Sequence, residues 1–441
     1  MSNEAMTAEK LPNRWLIAIM GTLLQLCLGT VYAWSFFQKP LIMTYGWTNS
    51  QAAWAFSLAI CFLGLSAAWG GINLPKYGPK KLAMAGGFLF GLGYLIGALA
   101  LKMSSLPLLY IGYGVIGGCG LGLGYVTPVA TAAKWFPDKK GFITGMVVMG
   151  FGLGALLMSK FFAPLLLAAF KNEAFPNGNL VPVFAWLGGI FMVLTMIVGS
   201  FLRNPPPGYT VKMPSAPTAP VAAGAKPAVS VDEQSGTFSQ YVFSGRFFVM
   251  WLIFFCNIAA GISIIGFQSP MLQDLVKISN PGLDVAALAA LGGTLIAVSS
   301  LFNGLGRFFW GGTSDKIGRV QVFRIMLATQ IGAFAILMFT QNPWIFSIVV
   351  CYVLLCYGGG FGTMPSFVTT VFGAKMMPMV YGAILTAWSM AGIVGPQVVA
   401  IIKDKMGAQA AFYSFGFGGT LLAIGLLLTL AASNKSFSAG K

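Results

Sequence analysis

The sequence predicts an all-α membrane protein of twelve transmembrane helices arranged as two six-helix halves. Three observations predict it. Of 441 residues, 57% are apolar and 8% charged, and mean hydropathy is +0.81. A soluble globular chain carries about 25% charged residues, so too little polar surface is present here to cover a water-soluble globule. Twelve apolar stretches approach the length of about 20 residues that a helix needs to cross a bilayer. A loop motif in the first half of the chain also recurs 240 residues later.

In order along the chain, the first six spans read as 16–37, 51–72, 82–101, 107–133, 142–166 and 181–202. The first follows Lys10 and Arg14, as a signal peptide would, but it is too long and has no small-residue cleavage site, so it is a retained helix. Gly117-Gly118-Cys119-Gly120-Leu121-Gly122 lies inside the fourth span. No strand precedes these glycines and no Lys-Ser/Thr follows, which argues for close helix packing rather than phosphate binding. Residues 203–245 change character: they hold Pro205, Pro206, Pro207, Pro214, Pro217, Pro220 and Pro227 with few large apolar residues, the composition of a linker. The second set of spans reads as 247–270, 286–311, 322–340, 344–371, 379–401 and 410–432. The expected organisation is a tail (1–14), a first half (15–202), a linker (203–245), a second half (246–432) and a short tail (433–441).

The halves read as copies. Gly71-Ile72-Asn73-Leu74-Pro75-Lys76-Tyr77-Gly78 follows the second span, and Gly311-Gly312-Thr313-Ser314-Asp315-Lys316-Ile317-Gly318-Arg319 follows the eighth. Spans four and ten match as well, through Gly124-Tyr125-Val126-Thr127-Pro128 and Gly362-Thr363-Met364-Pro365. Such repeats rock against each other around a central site in transporters.

The formal net charge of +16 reflects topology rather than nucleic-acid binding. With the amino terminus inside, inner loops hold Lys76, Lys80, Lys81, Lys134, Lys139, Lys140, Lys316, Arg319, Arg324 and Lys375, whereas outer loops hold Lys39, Lys102, Lys171, Lys277, Lys403 and Lys405. This bias predicts both termini in the cytoplasm, and the protein is expected in a bacterial inner membrane. No histidine is present, and the six cysteines fall in spans without metal spacing, so neither a metal site nor another cofactor is expected.

The eighth span contains Arg307, eight residues before Asp315, which places it about 12 Å from the loop. A midplane arginine costs about 2.5–3.5 kcal/mol on insertion scales and so faces a cavity or a partner. Ser300, Asn303 and Arg307 share one helical face. Of the ten acids, none falls in the middle of a predicted span, so the expected counter-ion is a small anionic substrate gripped by the guanidinium. Lys160 should reach the outer surface by snorkelling. Asp284 and Lys403, at the outer ends of spans eight and eleven, are candidates for an extracellular gating pair; two solvated loop charges are the alternative.

The loop motif resembles the signature of the major facilitator superfamily, complete in the second copy and carrying Pro75 in place of the acid in the first. Four further runs narrow the resemblance: Asn13-Arg14-Trp15, Tyr32-Ala33-Trp34-Ser35, Lys134-Trp135-Phe136-Pro137-Asp138-Lys139-Lys140-Gly141 and Leu301-Phe302-Asn303-Gly304-Leu305-Gly306-Arg307. They are similar to the oxalate:formate antiporter family, which includes bacterial lactate and other monocarboxylate transporters. The resemblance implies the major facilitator fold, an inner gate at Asp315, Lys316 and Arg319, and a site lined by Arg307, Asn303, Tyr32, Tyr125, Tyr357, Phe361 and Asn257. It also implies a second basic residue in span eleven of an oxalate exchanger. Aligned on Tyr381-Gly382, that position is Trp388 here. One cation balances a monocarboxylate such as lactate, pyruvate or formate, and would leave oxalate with an uncompensated charge.

Coupling stays open between proton symport and anion exchange. The related animal proton symporters carry an Asp where Asn303 stands. An oxalate:formate-type antiporter remains an alternative. A lipophilic-drug exporter would be expected to show a membrane acid, and a membrane-embedded anion sensor would be expected to add a signalling domain. No nucleophile–base pair suggests an enzyme. The expected partners are a small organic anion, the lipid bilayer and possible coupling protons, with the chain monomeric.

Overall fold

The computed structural model describes residues 12–172, 178–206, 209, 237–373 and 376–431. The expected tails at 1–14 and 433–441 lie wholly or largely outside the described residues, as does most of the expected linker at 203–245.

Twelve helices are long and apolar enough to cross a membrane. They are α1 (Arg14–Tyr45), α2 (Asn49–Tyr77), α3 (Pro79–Lys102), α4 (Leu106–Trp135), α5 (Phe142–Ala169) and α6 (Leu180–Ser200), then α7 (Gly245–Ser279), α8 (Val285–Ile317), α9 (Arg319–Phe339), α10 (Pro343–Phe372), α11 (Met377–Met406) and α12 (Ala410–Leu430). With an even number of crossings, residues 14 and 430 lie at the same end, called here the terminal end; the other is the far end. Most of the helices outrun the stretches expected from the sequence, because amphipathic turns beyond the apolar run continue them. The largest extension is at α7, which reaches Ser279 rather than residue 270 and so carries Asp274 on a helix.

Position in the bundle follows from burial. In its most apolar window α7 is 72% buried inside the protein and α11 67%, against 28% for α12 and 33% for α6. The first two are central, and the last two expose most of that surface to lipid.

The repeat has a backbone cause. Gly78 (φ 75°) and Gly318 (φ 93°) close α2 and α8 by donating to the Leu74 and Ser314 carbonyls. A side chain is strained at that φ, so the motif needs glycine at this position in both halves.

Both ends are closed. At the far end Asp274 of α7 bridges Lys39 of α1 (2.7 Å) and Lys403 of α11 (3.0 Å). Asp404 accepts from the Asn49 and Ser50 amides that open α2 (3.1 and 3.0 Å) and from the Asn49 side chain (2.8 Å). Ser50, Gln397 and Ser57 continue this polar seam between α2 and α11. At the terminal end, a Cβ on Gly71 would lie 2.9 Å from the Pro378 carbonyl, and Phe142 meets Phe308 with ring centroids 6.2 Å apart. Contacts between halves at both ends make this an occluded conformation.

One gating expectation is corrected by this geometry. Asp284 does not pair with Lys403: its carboxylate accepts from the Ala287 amide at 2.6 Å and caps α8. The acid that meets Lys403 is Asp274. At the terminal end Asp315 pairs with Arg319 one turn on, while Arg319 also donates to Ser314 and Lys316 is exposed. These contacts tie α8 to α9 within one half.

Candidate functional site

The central site is built on a tight crossing of α8 and α10. A Cβ on Gly306 would stand 2.0 Å from the Leu355 carbonyl oxygen, on Gly358 2.0 Å from that of Asn303, and on Gly362 2.2 Å from that of Arg307. Three glycines therefore let backbone meet backbone, and this brings Tyr357 and Phe361 against Arg307. The Arg307 guanidinium lies over the Phe361 ring, 5.0 Å from its centroid, within cation–π range.

Arg307 is 1% exposed, and its Nε, Nη1 and Nη2 have no hydrogen-bond partner among the described residues. Every described carboxylate is engaged elsewhere: Asp138 with Arg14, Asp274 with Lys39 and Lys403, Asp284 at its cap, Asp315 with Arg319, and Asp404 at α2. A buried charge without a hydrogen-bonding partner is costly, so this guanidinium is able to accept an anion. Gly152 of α5 makes room for it, since a Cβ there would lie 3.2 Å from Nε.

Around the guanidinium stands an aromatic cage contributed by both halves. The α1 helix passes through a 3-10 turn at Gly29–Ala33, where Gly29 meets the backbone of α5, and this turn carries Tyr32. The Tyr32 and Tyr357 hydroxyls meet at 2.7 Å across the interface of the halves. Trp388 follows a break in α11 at Leu385 and packs edge-on against Phe361 (centroids 4.6 Å) and Tyr125 (5.2 Å). Phe151 completes the wall against Tyr32 (5.0 Å) and Tyr125 (5.1 Å). Tyr381 neighbours both Tyr125 and Arg307. The Tyr125 and Tyr381 hydroxyls, Trp388 Nε1 and Asn303 Oδ1 are buried without hydrogen-bond partners among the described residues. The cage thus sets one cation among several neutral hydrogen-bonding groups.

The cage is sealed. The adjoining cavity, lined by Tyr32, Gly152, Ser300 and Asn303 among others, measures about 10 Å³, near the least that holds one water. A substrate larger than water needs the halves to part.

The structure brings Arg307, Asn303, Tyr32, Tyr125, Tyr357, Phe361 and Trp388 together. Asn257 is half engaged: its side-chain oxygen accepts from Gln330 of α9 at 2.9 Å, while its Nδ2, buried without a hydrogen-bond partner among the described residues, faces Gly360 beside Phe361. Ser300 is also diverted. Its hydroxyl donates to the Gly152 carbonyl (2.6 Å) and accepts from the Leu156 amide (3.2 Å), inserting between two groups that an unbroken α-helix would pair directly. A π-helical stretch, Met158–Phe162, follows in α5. Lys160 donates to Thr294 on an exposed part of the α5–α8 seam.

Phe151 and Tyr381 were not singled out from the sequence. Gly150-Phe151-Gly152 was the available signal for the first, since flanking glycines mark a close crossing. Two family runs also prove to be one clasp. Arg14 holds Asp138 through two hydrogen bonds (2.8 and 3.3 Å) and lies over Phe136 at 4.5 Å.

Residues 15–396 match the Major Facilitator Superfamily. The oxalate:formate antiporter of Oxalobacter formigenes is 27% identical over 407 residues, covering 91% of this chain and 88% of its own. Apicoplast pyruvate carrier 1 of Toxoplasma gondii is 25% identical over 514 aligned positions, covering 97% and 89%. Among solved structures, a partially occluded inward-open form of the E. coli xylose transporter XylE superposes with a TM-score of 0.69 at 13% identity, covering 97% of this chain and 99% of its own. With its twelve-helix fold, the chain belongs to the major facilitator superfamily and is a secondary transporter rather than an enzyme.

Proposed function

We propose that the chain carries small monocarboxylates, of the size of formate, pyruvate or lactate, across a bacterial inner membrane by alternating access. The observation that carries this reading is the buried Arg307 guanidinium, which has no protein partner among the described residues. Its fork suits a carboxylate held through two parallel hydrogen bonds. The hydroxyls of Tyr32, Tyr125, Tyr357 and Tyr381 suit the keto or hydroxyl oxygen of a 2-substituted acid. The similarity to a pyruvate carrier and to an oxalate:formate antiporter supports an organic anion.

Similarity to the antiporter favours a second reading, exchange of oxalate for formate. The single cage cation argues against it, because Trp388 stands where a second base would balance the dianion. The termini are assigned to the cytoplasm on the basic bias of the terminal-end loops. Proton symport and anion exchange both fit the cage: a proton can travel on the substrate, and a guanidinium that always needs a counter-ion favours exchange.

The test is uptake of labelled pyruvate and lactate into proteoliposomes, with and without internal substrate, at two pH gradients. Arg307→Gln is expected to abolish saturable uptake while the protein stays folded. Full activity in that variant refutes the substrate assignment, and tight competition by oxalate refutes the one-cation argument.

A further inference from the structure

The second half holds a separate, partly open cavity at the far end, bordered by α7, α9, α10, α11 and α12. Its volume is about 170 Å³, and its walls are mostly apolar, with Leu275, Leu337, Phe346, Ala410 and Phe415 among them. Leu337 and Phe346 are each 1% exposed, so these walls are packed core rather than loose surface. Two charged residues also line it, Asp274 and Lys403. Every wall comes from the second half, and the first half adds only Lys39 at the rim, through its bond to Asp274.

Its chemistry is that of an amphipathic anion site. A cavity of about 150 Å³ lined by Leu, Ile and Phe accepts a benzene ring, so this one has the capacity for a ring or a chain of similar bulk. The charge at its rim is unbalanced: Lys39 and Lys403 share the single carboxylate of Asp274. Asp404, the next acid along the chain, is engaged at the start of α2. An added carboxylate would bring the three-charge cluster to neutrality.

We propose that this cavity binds apolar monocarboxylates, of the benzoate or hexanoate class, with the carboxylate on Lys403 and the hydrocarbon between Leu337, Phe346 and Phe415. The site is distinct from the Arg307 cage and does not rest on the transport reading above.

The test is equilibrium binding of labelled benzoate to the full chain in lipid nanodiscs. Saturable binding is expected for the unaltered protein, and it persists in Arg307→Gln. Ala410→Phe fills the cavity from α12, and Thr340→Trp fills its mouth from the half-buried residue that follows α9. Each is expected to weaken binding by about tenfold or more, and benzyl alcohol, which lacks the charge, by a similar factor. The proposal is overturned if the unaltered protein shows no saturable binding. It is overturned equally if Arg307→Gln abolishes binding while Thr340→Trp spares it, which puts benzoate in the central cage. Equal affinity for benzyl alcohol also overturns it, by leaving Lys403 no role.

Discussion

Gly362→Ala tests whether the α8–α10 crossing sets the site. A Cβ at 362 would lie 2.2 Å from the Arg307 carbonyl oxygen and 2.8 Å from its carbonyl carbon and Cα. Non-bonded carbon and oxygen do not approach much below about 3 Å, so the two helices must separate locally by about 0.8 Å. Overpacking of this kind costs about 1–3 kcal/mol, which a twelve-helix bundle can absorb without unfolding. The displacement falls on the site, because Phe361 and Tyr357 ride on the same stretch of α10. The guanidinium–Phe361 separation of 5.0 Å moves toward the roughly 6 Å limit of a cation–π contact. The Tyr32–Tyr357 hydroxyl pair, now 2.7 Å, stretches beyond hydrogen-bond range. A misplacement of about 1 Å can cost about a hundredfold in rate. Substrate flux in proteoliposomes is therefore expected to fall between about tenfold and a hundredfold, with only a modest loss of thermal stability. Gly312→Ala is the control on α8, since a Cβ there meets nothing within 4 Å. Wild-type flux and KM in Gly362→Ala would refute the idea that this crossing positions the cage.

Two other perturbations follow from single contacts. Ser300→Ala removes the hydroxyl inserted in α5, and the freed Leu156 amide and Gly152 carbonyl can then pair with each other. The net loss is expected near the membrane average of about 0.6 kcal/mol, roughly threefold in the closed–open equilibrium. A cysteine at Gln273, buried at the far end, should label about threefold faster in the Ser300→Ala background, and an unchanged rate shows that the Ser300 contact between α8 and α5 does not hold the halves closed. Arg14→Gln and Asp138→Asn should each lower the melting temperature, and the double variant should fall no further than the worse single one, because both break the same clasp. Additive losses would show that the two residues act separately.

What the sequence made legible follows from how strongly lipid constrains each feature. Span number is legible because an unpaired backbone in hydrocarbon is prohibitive, so every crossing needs its full run of apolar residues. Arg307 stands out for the same reason: a charge in the middle of such a run is expensive enough to demand a purpose. Aromatic residues carry no comparable penalty. Tyr32, Tyr125, Tyr357 and Phe361 came from family resemblance, while Phe151 looks in the sequence like any of the 37 phenylalanines. Asn257 shows the same ambiguity from the other side. Its helix is 72% buried in its most apolar window, so polarity does not mark which flank faces the cavity, and the structure divides its amide between Gln330, which the oxygen meets, and Gly360, which Nδ2 faces. The acid that closes the far end was hidden by helix length. Asp284 stood nearest the expected boundary, yet α7 continues to Ser279 and carries Asp274 to the two lysines. Pairing of charges at helix ends depends on where each helix stops to within about a turn, and boundaries are the least determined part of a sequence reading. The central arginine needed no such precision. Its lack of a carboxylate partner could be argued from the places acids do not occur, and that argument tolerates an error of several residues at every boundary.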